Sequence, residues 1–420
     1  MRPAPEQQQK VWTFDLPLAS PPRVDILFVI DDSPAMRDHE ANLVANFGRF
    51  VDVLGTISGG LPDLHIGVMT SDLGTRGASD SHSTASVGGC VGDGDNGALR
   101  HTPGVEGAFI TDRPTYAGAR EVNYTSSLAD RFAELASVGS HGCAFAQPLE
   151  AVRTALDHHP ANAGFLREDA NLAIVFISAQ DDCTFEHSSF VTGDSAADVF
   201  RCTSNGITCS DPNTCSPRSD SPTMPDVTRY ASFLRGLKAD PADVMIGVVA
   251  GPPTPVMTHA DPMGATVLDP SCTFEASAAT PAVRLAALAE SFPSRERVTS
   301  ICQADLTDGL VLSSCVVGIG GRGFSGKLVC MDVDLIDLDP ETAGVQAECT
   351  VSDVQHPTAA DRRERVLARC DATASNLPCW HMISDEPQCG HYTRQNLAMS
   401  IERADFPAGD THLVVACAAE

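Results

Sequence analysis

The stretch Val24-Asp25-Ile26-Leu27-Phe28-Val29-Ile30 is an almost unbroken apolar run that ends abruptly in Asp31-Asp32-Ser33-Pro34-Ala35-Met36. Apolar character without alternation is the pattern of a strand buried on both faces of a parallel sheet. Beyond the turn, Glu40, Leu43, Val44, Phe47, Phe50, Val51 and Leu54 recur at helical spacing. Strand, carboxylate turn and amphipathic helix in that order predict a doubly wound α/β fold, a mostly parallel sheet flanked by helices. Ligands of such sheets bind beyond the carboxyl ends of the strands. Asp31 is therefore the first candidate for function.

The alternation continues. Leu64–Thr70, Leu172–Ser178, Val244–Ala250 and Val298–Ile301 read as further strands. Leu128, Phe132 and Leu135 mark one helix, Pro148 opens another, and Tyr230, Phe233, Leu234 and Leu237 mark a third. Thr280-Pro281 reads as a cap and first turn for a helix running to about Phe292, and Leu306 to Val317 as the last helix. This pattern spans 23–320, interrupted by Gly-, Ser- and Asp-rich insertions near 71–124 and 180–226. Residues 1–22 read as a polar, proline-containing N-terminal extension. Residues 321–420 read as a cysteine-rich, disulfide-stapled and mostly β C-terminal region. Gly318 to Gly323 has dinucleotide-fingerprint spacing, and Gly321 to Lys327 spells a P-loop without its Ser or Thr. Both motifs need a strand before and a helix after, so the stretch is read as a hinge.

Composition narrows the partners. Fifty-five acids stand against 28 basic residues, a formal charge of −27. That excludes nucleic acid and anionic membrane, which need a basic footprint. Fifteen cysteines occur singly, with no Cys-x-x-Cys pair, so zinc-ribbon and redox spacings are missing. Scattered cysteines at this density point to disulfides and an oxidising, extracytoplasmic compartment, and their odd number leaves one without an intrachain mate. No window approaches the roughly 20 apolar residues of a membrane span. Met1 to Pro5 has no signal-peptide core, and the expectation is that a signal or lipid-anchor segment has been removed.

Val24 through Ser33 resembles the first strand and metal loop of von Willebrand factor A-type domains, whose turn reads Asp-x-Ser-x-Ser. Gly164 to Arg167, Leu172 to Cys183 and the acidic run Asp332 to Asp339 extend the likeness to cysteine-rich bacterial secreted or lipid-anchored proteins with such a domain. The resemblance implies a cation held by the turn hydroxyls and carboxylate, a threonine from a second loop and an aspartate after a later strand. The partner's carboxylate completes the shell, and no reaction is performed. This chain departs from the pattern in three places. Ala35 stands for the second serine, Ala179 for the later aspartate, and Gly139 to Ala144 offers no threonine. Mg²⁺ wants a near-octahedral oxygen shell, whereas Ca²⁺ accepts an irregular one. Asp31, Ser33, Asp32, Asp72, Asp181 and Asp182 are the candidate ligands for either ion, and the favoured reading is a degenerate site.

Other motifs read more plainly. Asp93-Gly94-Asp95-Asn96-Gly97 alternates oxygen donors as calcium loops do but lacks the downstream glutamate, which favours a tight turn. No Gly-x-Ser-x-Gly or His-Glu-x-x-His motif is present, and no catalytic residue is assigned. The expected function is non-enzymatic binding or adhesion, or a scaffold, contacting a protein or surface glycan through loops at one end of the sheet. Two alternatives stay open: a secreted hydrolase using the clustered aspartates, and a structural cell-envelope component.

Overall fold

The computed structural model describes residues 10–18, 21–55, 61–75, 90, 92–116, 118–186, 195–293, 295–306, 328–339, 341, 345–384, 389, 393–408 and 410–419. In chain order they form β1 (Lys10–Pro17), β2 (Arg23–Ile30), α1 (Glu40–Gly55), β3 (Asp63–Thr70), β4 (Ile110–Pro114), β5 (Arg120–Val122), α2 (Leu128–Ala136), α3 (Pro148–Leu156) and β6 (Asn171–Ile177). Next come α4 (Ser195–Gly206), β7 (Ile207–Asp211), β8 (Thr214–Pro217), α5 (Val227–Arg235), β9 (Val244–Ala250), β10 (Thr258–Ala260), β11 (Thr266–Leu268), β12 (Cys272–Phe274), β13 (Ser277–Ala279), α6 (Val283–Glu290) and β14 (Glu296–Ser300). The chain closes with β15 (Leu328–Cys330), β16 (Cys349–Gln355), β17 (Arg363–Arg369), β18 (Cys379–Ser384), β19 (Leu397–Glu402) and β20 (Thr411–Ala419).

Two compact units result, one of residues 22–113 and 121–319, the other of 1–21, 114–120 and 320–420. In the first, a seven-stranded sheet runs β14-β9-β6-β2-β3-β4-β5. Its β14, β9, β6, β2 and β3 pair in parallel, and β4 joins β3 antiparallel. Strand β2 divides its side chains between two cores. Val24, Ile26, Phe28 and Ile30 meet Phe47 and Phe50 of α1 and Phe132 of α2. Leu27 and Val29 meet residues of α3, α5 and α6 on the other face. The Phe28, Phe50 and Phe132 rings lie 4.7–5.1 Å apart in tilted and edge-on pairs, geometries that add to area burial.

In the second unit another seven-stranded sheet runs β1-β20-β16-β17-β18-β19-β15. Its only parallel pairing among the described residues is β17 with β18. Lys10–Pro17, inside the segment read as a polar lead-in, is an edge strand paired in full register with β20. Trp12, Phe14 and Leu16 alternate onto the core of Val351, Trp380, Leu413 and Val415.

The expected doubly wound, mostly parallel α/β architecture is therefore corrected for the molecule as a whole. Among the described residues strands dominate: two seven-stranded sheets and three two-stranded ribbons, with parallel and antiparallel pairing mixed inside each large sheet. Two physical reasons stand out. Ile110–Pro114 of the first insertion hydrogen-bonds back along β3 as an antiparallel neighbour. The segments after residue 327 are short strands, which close on one another and on β1 rather than on helices. The insertion expected near 180–226 holds α4 and the β7–β8 hairpin. The helix expected over 306–317 and the glycine hinge at 318–323 fall outside the described residues, Leu306 excepted.

Seven disulfides join Cys90–Cys143, Cys183–Cys202, Cys209–Cys215, Cys272–Cys302, Cys330–Cys389, Cys349–Cys417 and Cys370–Cys379. Bridges in such number form and persist under oxidising conditions outside the cytoplasm. The remaining cysteine, Cys315, lies outside the described residues. No helix among the described residues is long and apolar enough to cross a membrane.

Candidate functional site

Strands β2, β3 and β6 end side by side, and the segments that follow carry all six candidate residues at one end of the sheet. Asp31 is 1% exposed and Ser33 0%. The Asp31 carboxylate accepts from the Ser33 backbone N–H at 2.8 Å and from the Ser178 hydroxyl at 2.8 Å. Burial raises its pKa, and those hydrogen bonds pull in the opposite direction. The side-chain amide of Gln180 donates to Ser33 Oγ at 2.8 Å and to the Ala144 carbonyl at 3.0 Å. An amide N–H₂ thus sits against the hydroxyl that a metal loop would turn toward a cation. Amide nitrogen donates two hydrogen bonds and accepts none, so the Ser33 oxygen is already used as an acceptor.

Asp32 takes a different environment. It is 7% exposed, and its Oδ1 has no hydrogen-bond partner. Burial, then the nearby charges of Asp72, Asp31 and Asp95, push its pKa up to about 8. The loop of Gly142 closes over it. The Gly142 N–H donates to the Asp32 carbonyl at 2.8 Å, and a Cβ at Gly142 would run into the Asp32 carboxylate. Asp72 accepts from Gly74 N–H at 2.7 Å and Cys143 N–H at 3.2 Å, and burial raises its pKa against those bonds. Asp95 accepts from the Thr70 hydroxyl at 2.6 Å within a turn in which Gly94, Asn96 and Gly97 adopt positive φ.

Asp181 and Asp182, expected to crowd this same end of the sheet, follow the end of β6 there, and their carboxylates are taken up by helix starts. Asp181 accepts from the backbone N–H groups of Arg284 at 2.9 Å and Leu285 at 3.1 Å, at the N-terminus of α6. Burial still lifts its pKa to about 6, opposed by those N–H groups and the Arg284 charge. Asp182 accepts from the N–H of Leu149 in the first turn of α3 at 3.2 Å and pairs with Arg284 Nε at 3.1 Å. Each carboxylate satisfies orphan N–H groups at a helix start, where the dipole favours negative charge. The cap expected from Thr280 is not made; its hydroxyl lies 3.5 Å from the Ala179 carbonyl.

The residues present do not fit an adhesion-type divalent cation. Among the described residues no group of three or more His, Cys, Asp or Glu is arranged to hold a metal ion. The two matching positions, Asp31 and Ser33, are hydrogen-bonded within the protein. Sequence reasoning missed Gln180, Ser178 and Gly142. Only one of them had a visible signal: Gln180 directly follows the alanine that replaces an expected aspartate. Beside this network a cavity of about 190 Å³ is lined by Asp31 with Met36, Glu40, Leu43 and Val138.

No family model and no curated protein matches this chain. Among solved structures, two crystal structures of the pilus adhesin SpaC from Lactobacillus rhamnosus GG align at 7% and 8% identity with TM-scores of 0.32 and 0.31. They cover 99% of this chain, which spans only 42% and 41% of SpaC. Three N-terminal domains of the type V pili tip protein Mfa5 from Porphyromonas gingivalis align at 11% identity and a TM-score of 0.24, covering 98% of this chain and 68% of that one. Overlaps at these scores assign neither a family nor a shared fold.

Proposed function

We propose that the protein is an extracytoplasmic, non-enzymatic binding protein that recognises a protein or surface glycan without a bridging cation. The contact surface in this reading is the loop end of the sheet in the 22–319 unit. The observation that carries it is the Gln180 amide on Ser33 Oγ, with Ser178 on Asp31. A bridging cation would need both oxygens free and near the surface, and both are buried and partnered. The seven disulfides support the compartment. The likeness to the A-type turn belongs to this proposal for Val24–Ser33 alone. The hydrolase alternative gains less support: Asp181 and Asp182 cap helices, and Asp32 is roofed by Gly142.

The test is adhesion of the labelled full chain to arrayed extracellular proteins and glycans, with Mg²⁺, Ca²⁺ or chelator present. Binding that is indifferent to chelator, together with unchanged melting in all three conditions, is expected. Binding abolished by chelator and restored by Mg²⁺ overturns the metal-free reading. Turnover of an arrayed glycan or peptide that is lost in Asp32→Asn overturns the non-enzymatic one.

A further inference from the structure

The 320–420 segment holds a cavity of about 360 Å³ lined by residues of β16, β17 and the stretch between β19 and β20, within the size range of small-ligand sites. Its charges are unusual for a chain of net −27. Arg363 and Arg365 both line it. As residues i and i+2 of β17 they share one face, roughly 6.6 Å apart along the strand. Among the described residues neither guanidinium has a hydrogen-bond or ion-pair partner, although acids outnumber bases in this protein 55 to 28. Glu364, between them in sequence, also lines the cavity, and its carboxylate pairs at 2.8 Å with Arg362, which does not line it. Arg403 is neutralised by Asp353 through two 2.6 Å hydrogen bonds. With Arg362 counted against Glu364 and Arg403 against Asp353, Asp405 is left as the one unpaired acid of the lining against two unpaired arginines, a local excess of one positive charge. Leu377, Pro378 and Phe406 supply an apolar wall, and the Phe406 ring is held edge-on to Tyr116 at 5.6 Å.

We propose that this cavity binds a carboxylated sugar, a uronic-acid-type residue of a glycan. A single positive excess matches one carboxylate rather than a dianionic phosphate. A guanidinium has five N–H donors in a planar fork, so two free ones offer more donors than one carboxylate accepts. The surplus suits ring hydroxyls. The apolar wall suits the C–H face of a sugar ring. This site is separate from the loop end of the 22–319 unit and does not depend on the function proposed for it.

Calorimetry or saturation-transfer NMR on the full chain, with glucuronate, glucose, N-acetylaspartate and inorganic phosphate as probes, tests the assignment. Glucuronate is expected to bind and glucose to show no detectable binding. Arg365→Lys keeps the charge and loses the fork, and should weaken glucuronate by about tenfold. The Arg363→Met/Arg365→Met double variant should abolish binding. Both arginines are exposed, and tryptophan fluorescence checks that the unit stays folded. Glucose binding as well as glucuronate, tighter binding of N-acetylaspartate or phosphate, no glucuronate binding, or unchanged binding in a folded double variant each overturns the proposal.

Discussion

Asp32 sits beside Asp31, Asp72 and Asp95 with one oxygen unpartnered, and the fold holds its pKa at about 8 against 3.8 for a free aspartate. Between those values the folded state keeps a proton that the unfolded chain has released. Stability therefore falls as pH rises through this window, by on the order of a few kcal/mol from this group. Asp181 acts in the same direction between 3.8 and about 6. Melting temperature should drop between pH 5 and pH 8.5. Asp32→Asn should flatten the slope and melt higher than the parent at pH 8.5; an equal slope in both proteins would assign the effect to other groups. Gln180→Ala strips the donor from Ser33 and the Ala144 carbonyl, both buried or nearly so. The expected cost is about 1–3 kcal/mol in urea unfolding, with no rescue by Mg²⁺.

Among the elements, α6 shows how a helix is placed by partners far along the chain. Its first turn has no side-chain cap of its own, and Asp181 fills that role from over 100 residues away. Arg284, also in its first turn, is 1% exposed. Its guanidinium pairs with Asp182 and donates to the Pro225 carbonyl at 2.8 Å, tying β6, α6 and the second insertion together. Arg284→Met leaves Asp182 buried without its cation and the Pro225 carbonyl without a donor. The expected loss is about 3–5 kcal/mol, read from the urea midpoint of the 222 nm signal. Helix periodicity was legible: the apolar spacing within Leu128–Ala136 and Val227–Arg235, and Pro148 at the start of Pro148–Leu156, mark these helices, while the side-chain caps at Ser127 and Asp226 emerged only in the structure. Strand β1 was equally visible in principle, since Trp12, Phe14 and Leu16 alternate with polar residues. Its prolines and exposed face hid it, and only β20 supplies the partner that makes it a strand.

At the scale of the molecule, the two units carry separate spectroscopic labels. Both tryptophans, Trp12 and Trp380, lie in the 1–21, 114–120 and 320–420 unit, and all six described α-helices lie in the other. Cys349–Cys417 ties neighbouring strands β16 and β20 across a separation of 68 residues. Replacing both cysteines with alanine should destabilise that unit by about 2–5 kcal/mol. The tryptophan-fluorescence transition should move to lower denaturant while the 222 nm helix transition stays in place. Equal movement of both signals would mean the units unfold as one.

What the sequence determined by itself was local: the buried strand Val24–Ile30, the helices written in three- and four-residue spacing, the acidic surface and the disulfide chemistry. Each follows from residues near one another in the chain, where periodicity and composition act directly. The tertiary structure alone decided the rest. It paired the cysteines, joined β1 to β20, and mixed the strand directions that overturn the simple α/β expectation. It also turned Asp181 and Asp182 into helix caps and set the Gln180 amide on Ser33. Those outcomes depend on which loops meet after the chain has closed over more than 100 residues, and a hydrogen-bond partner at that separation leaves no mark on local pattern.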